Sequence, residues 1–276
     1  MPEQPDAAAG ARTASATFAT RILDNPFVGF LPWIVLAVLE GPGRLPWAAG
    51  AALALSVVFL VLDVVRGRTV KILAVVDVVA FTAFLVLVLA APPATQRWLE
   101  TWFGEISNLI LVVVVVASMI ARVPFTIQYA REQTDPSAWR TPLFLRINYV
   151  ITGAWALAFA VSSAAGFYGD AVLHDNSNIW TGWIIQIGAS LVAVQFTQWY
   201  PDYATANALR AAGEPTEPAP PVTDLLVPLL GYLVPVGIIV LVFGGAPTWL
   251  GIALIVVGSA LSVQLRRVDT RSATGG

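Results

Sequence analysis

Eight apolar stretches follow one another along this chain, and the charged breaks between them are strongly asymmetric in their cations. If the N-terminus lies inside, one side of the implied bilayer holds Arg12, Arg21, Arg66, Arg68, Lys71, Arg122, Arg131, Arg140, Arg146, Arg210, Arg266, Arg267 and Arg271, and the other holds only Arg44 and Arg97. Cytoplasmic loops collect Lys and Arg, so this bias predicts a polytopic helical bundle with both termini in the cytoplasm. Trp47, Trp98, Trp102, Trp180, Trp183 and Trp249 then fall near the outer interface, and Trp199, Tyr200 and Tyr203 near the inner one, where amphipathic rings prefer to sit.

The stretches are Phe27 to Leu39, Pro46 to Val65, Ile72 to Ala91, Ile106 to Val123, Ile147 to Tyr168, Ile179 to Tyr200, Leu225 to Phe243 and Trp249 to Leu265. Seven are long enough to cross a hydrocarbon core as helices, and none alternates as a membrane β-strand does. The first is short and is read as a tilted span or a re-entrant segment. The fold class expected is therefore all-α, a transmembrane bundle of about eight spans. With 57% apolar and 12% charged residues, the chain has too little polar surface to be wetted as a soluble domain. Residues 1–24 read as a polar cytoplasmic tail, 25–203 as a six-span bundle, 204–224 as a linker, 225–265 as a hairpin and 266–276 as a second cytoplasmic tail. The linker carries Pro215, Pro218, Pro220 and Pro221, with Pro201 upstream, a composition that makes semi-rigid spacers.

Cysteine is absent and histidine occurs once, at His174, which removes disulfides, thiol chemistry and Cys or His zinc sites together. Neither a metal nor a cofactor is expected, and a net charge of -2 argues against nucleic acid as a partner. The lone lysine, Lys71, sits beside Arg66 and Arg68 as a topology signal.

Asp63 and Asp77 are the acids that fall inside predicted spans, and charge at membrane depth marks function by default. Asp63 lies three residues before Arg66, where an i,i+3 pair explains it. Asp77 lies six residues past Lys71, about 9 Å along a helix, and needs a partner. Arg122 and Arg146 are the candidates, with Asn148 beside them. The two readings are a proton or cation site and a structural ion pair. The inner loop Pro124 to Arg146 carries Arg131 and Arg140, candidate contacts for anionic lipid headgroups, although positive-inside topology also accounts for them. It offers no nucleophile with an adjacent base, so no catalytic residue is assigned. Ala154, Ala158, Ser162 and Gly166 recur at intervals of four, a stripe suited to close helix packing or, second, to self-association as a homo-oligomer. Gln186, Gln195 and Gln198 are candidates for interhelical hydrogen bonds.

Phe30, Leu31 and Pro32, the stretch Pro124 to Gln128, then Trp139, Asn148 and Trp155, and finally Asn178, Ile179 and Trp180 resemble, in order and spacing from about residue 25 to 203, the bacterial intracellular septation protein A family. The resemblance implies an inner-membrane protein linked to division and envelope synthesis, acting through membrane-protein partners and membrane lipids, with no established catalysis. The polar tail and the hairpin from Leu225 to Leu265 depart from it. The function expected is thus non-enzymatic work in envelope or division assembly of a bacterial plasma membrane. The alternatives are a small-molecule or lipid transporter, for which Pro228, Gly231 and Pro235 would break a helix, and an intramembrane lipid-modifying enzyme using Asp63 and Asp77.

Overall fold

The computed structural model describes residues 29–41, 43–175, 177–244 and 246–274, with side chains as far as residue 264. The tail 1–24, Arg12 and Arg21 within it, and the start of the first apolar stretch lie outside the described residues. Everything regular among the described residues is helical. The chain divides into two compact units, residues 1–100 and 101–276.

The first unit contains α1 (Leu31–Leu39), α2 (Leu45–Val65), α3 (Ile72–Ala90) and the start of α4 (Pro93–Ile120). The second holds the rest of α4, then α5 (Thr126–Gln133), a short turn at Pro136–Ala138 and α6 (Pro142–Phe167), which runs on as a π-helical turn, Tyr168–Val172. A second π-helical turn, Trp180–Ile184, leads into α7 (Ile185–Ala211), followed by α8 (Val222–Gly231), α9 (Leu233–Phe243) and α10 (Thr248–Thr274). Five helical segments are long and apolar enough to cross a membrane: Leu45–Val65, Ile72–Ala90, Pro93–Ile120, Pro142–Val172 and Val222–Phe243. Aliphatic and aromatic side chains cover their outsides, with Val65 77%, Ile120 77% and Phe243 76% exposed, the surface of a protein whose solvent is hydrocarbon.

All five overlap stretches expected to span, and the other three stretches differ from them in length or polarity. Helix α1 has nine residues, about 14 Å of rise against a core of about 30 Å, in keeping with the short first stretch expected. Helix α7 is long enough but interrupts its apolar surface with Gln186, Ser190, Gln195, Thr197 and Gln198. Helix α10 opens with the apolar Thr248–Gln264, and its helical backbone continues to Thr274, where a tail was expected.

Local chemistry explains several boundaries. Thr141 caps α6, its hydroxyl accepting from the Phe144 N–H at 3.2 Å, and Pro142 begins the helix where a missing N–H is harmless. Pro235 has no N–H to give the Gly231 carbonyl, and the seventh apolar stretch breaks at Tyr232 into α8 and α9. Three helices end in the same cap, in which the residue after the helix takes a left-handed conformation and two N–H groups fold back onto the last turn. Gly67 and Gly213 fill that position after α2 and α7, and Arg122 fills it after α4 with φ 61°. There the Arg122 N–H donates to the Met119 carbonyl and the Val123 N–H to Ser118, at 3.0 and 2.9 Å.

Packing relies on small residues. In the first unit α2 turns Ala48, Ala49, Ala52 and Ser56 inward. In the second, Ala158, Ser162 and Gly166 of the expected stripe are buried on α6. Between α9 and α10 the backbones meet at Gly237, where an added Cβ would lie 2.6 Å from the Gly251 carbonyl oxygen.

Candidate functional site

Asp77 occupies the packing face of α3 in series with Leu73, Phe81, Phe84 and Val88, and is 2% exposed. Its partner is not the arginine expected. The Trp33 indole N–H of α1 donates to its Oδ1 at 2.7 Å, and the same indole lies against Phe81 with ring centroids 4.6 Å apart. Arg122 and Arg146 belong to the second unit, are both exposed, and pair with no acid among the described residues. A neutral donor orients Asp77 without neutralising it.

Asp63 is likewise reassigned. Its Oδ2 lies 3.5 Å from the Lys71 ammonium, so the cation that answers it is Lys71 across the α2–α3 connection and not Arg66. Lys71, expected only as a topology signal, is therefore mostly buried and engaged. No hydrogen bond joins Asp63 to Asp77 among the described residues, and each is engaged by a different partner.

In the second unit Asn148 is 1% exposed and forms a hub. The Thr126 hydroxyl reaches the Asn148 carbonyl and side-chain oxygens at 3.1 Å each and lies 2.8 Å from the Thr152 hydroxyl. The Asn148 amide donates to Phe144 O at 2.9 Å. This network fastens α5 onto α6. The segment read as an inner loop is thus mostly ordered as helix, with Phe125, Thr126 and Ile127 buried and Arg131 and Arg140 exposed. The Arg131 guanidinium sits 5.3 Å from the centroid of Trp139, whose N–H donates to the Thr134 carbonyl.

A second polar group escaped the sequence reading. Glu105 of α4 and Asp170, in the π-helical turn after α6, lie close enough for each carboxyl to feel the other. The Glu105 carboxyl fills the space left by the missing Cβ of Gly166, and the Thr181 hydroxyl fills that beside Gly169. Asn108 donates to Gln186 Oε1 at 3.1 Å, and Gln186 donates to the Thr181 carbonyl at 3.0 Å. Glu105 Oε2 is buried with no protein hydrogen bond. Gln186 makes the interhelical bond expected of it, whereas Gln195 is half-buried and Gln198 exposed. Both acids lie at the edges of apolar windows, and α4 begins 13 residues before Ile106, at Pro93. Continuing the helix outward from each window was the signal that would have found them.

Among the described residues no three His, Cys, Asp or Glu side chains gather as a metal site. No family model matches the chain, and no curated protein or solved structure matches it.

Proposed function

We propose that this multi-pass membrane protein works without catalysis in envelope or division assembly of a bacterial plasma membrane, with both termini cytoplasmic and membrane proteins of envelope synthesis as its partners. The observation that carries this reading is the use of the residues behind the septation protein A resemblance. Asn148 is the hub between α5 and α6, the Trp155 indole donates to the Thr197 hydroxyl at 3.0 Å, and Asn178 accepts from the Trp180 and Thr181 N–H groups. Asn148 and Trp155 join helices and Asn178 caps the turn leading into α7, structural uses that suit a scaffold. Crosslinking in native membranes followed by pull-down tests the reading: recovery of cell-wall or division machinery is expected, and its clean absence with properly folded protein would reject it.

The Glu105 and Asp170 pair favours a second reading, a proton-linked transporter. Purified chain in liposomes would then dissipate an imposed pH gradient, and Glu105→Gln would abolish the flux.

A further inference from the structure

Four arginines converge on one end of the second unit. The Tyr149 hydroxyl donates to the Met119 carbonyl at 3.2 Å, tying the end of α4 to the start of α6. Arg122 follows Met119 by three residues and Arg146 precedes Tyr149 by three, so both lie at this end. Between them α5 is fastened by the Asn148 network, and Arg131 and Arg140 stand at its far end and just before the Thr141 cap. All four are exposed, and none forms an ion pair among the described residues. The acids of the segment are Glu132 and Asp135, and Asp135 is occupied by the Ser137 N–H at 2.8 Å. Bare aliphatic side chains adjoin the charges directly: Ile120 and Val123 beside Arg122, Leu145 beside Arg146. Cations bordering a lipid-facing belt lie at headgroup level.

Arg122 adds an independent argument. At the other two caps of this kind the left-handed position is glycine, which adopts it without steric conflict, whereas here a long charged side chain is kept despite the conflict. Glycine would close this cap with less strain, so the Arg122 side chain is not required by the cap itself.

We propose that this end of the second unit binds the phosphate groups of anionic phospholipids, with Arg122, Arg131, Arg140 and Arg146 as the contacts and Trp139 holding Arg131 in place. Guanidinium forks match phosphate oxygens in geometry and charge. The inference requires only that the chain sits in a bilayer, so it stands or falls separately from the envelope-assembly reading.

The test uses the purified full chain in zwitterionic detergent, with phosphatidylglycerol or phosphatidylcholine added, bound lipid counted by native mass spectrometry and the thermal midpoint followed. Phosphatidylglycerol should be retained at far lower concentration than phosphatidylcholine and should raise the midpoint, and each arginine replaced by glutamine should weaken that preference by about fivefold. Arg122→Gly should raise the midpoint without lipid and still weaken phosphatidylglycerol retention, a combination that a purely structural arginine would not give. Should Arg122→Gln or Arg146→Gln fail to fold, Arg131→Gln with Arg140→Gln, outside the crossing helices, carries the test. Equal retention of both lipids, an unchanged preference in the variants, or reproduction of the effect by inorganic phosphate at matched concentration would overturn the proposal.

Discussion

Asp77 shows how one hydrogen bond governs a buried acid. Trp33→Phe keeps the ring contact with Phe81 but removes the N–H that reaches the carboxyl at 2.7 Å, leaving a buried acceptor without its donor. The expected cost is about 1–3 kcal/mol in thermal unfolding, whereas Asp77→Asn keeps an acceptor for the indole and should cost less than that. Asp77→Leu removes the acceptor at similar volume, and combined with Trp33→Phe it should cost much less than the sum of the two single losses, because both changes then remove one bond. Additive losses would reject the pairing. Asp175 behaves differently because it lies in a loop outside the apolar helices: the Ser177 hydroxyl, with the Ser177 N–H and Asn178 in support, holds its carboxyl below the usual carboxylate range. A lowered value means that the charged form is the one the folded loop prefers. Its ordering is therefore complete above the ordinary carboxylate range and is lost as pH falls through the lowered value. Hydrogen exchange of the Ser177 and Asn178 amides, corrected for intrinsic rates, should speed up in that window, and Asp175→Asn should remove the pH dependence.

Among the elements, the α9–α10 pair depends most visibly on the absence of a side chain. An added Cβ at Gly237 would meet the Gly251 carbonyl oxygen at 2.6 Å and the Ile255 backbone nitrogen at 3.1 Å, and backbone atoms in a packed hairpin cannot retreat as a side-chain tip can. Gly237→Ala should destabilise by about 1–3 kcal/mol in thermal unfolding, while Gly153→Ala, which meets nothing within 4 Å, should be close to neutral. Equal midpoints for the two would contradict the close approach. The break that shapes this hairpin was legible beforehand, since Pro235 denies Gly231 a donor whatever surrounds it. The position of α5 was not. Its eight residues contain both Ile127 and Arg131, and only the bond from Thr126 to Asn148, 22 residues away, decides that it folds back onto α6.

For the whole molecule, the topology expectation has a direct check. The segment Pro142–Val172 has 31 residues, about 46 Å of helical rise, more than the hydrocarbon thickness, and separates Ser137 from Ser177. The native chain has no cysteine, so Ser137→Cys and Ser177→Cys are clean single reporters, and both positions are exposed. An impermeant thiol reagent applied outside intact cells should label Cys at 177 and spare Cys at 137, and the reverse pattern would invert the orientation drawn from the arginines. By itself the amino-acid sequence determined that the chain is helical and embedded in lipid, because long apolar windows can satisfy their backbones in hydrocarbon only as helices. It also marked Asp77, since a deep carboxylate stands out against any apolar run. Only the tertiary structure decided that Trp33 is its partner, that Glu105 meets Asp170, and that a left-handed arginine closes α4. The reason is that lipid solvates apolar side chains as well as a neighbouring helix does, so hydropathy reports that a segment is buried in the membrane without reporting which of its faces meets protein.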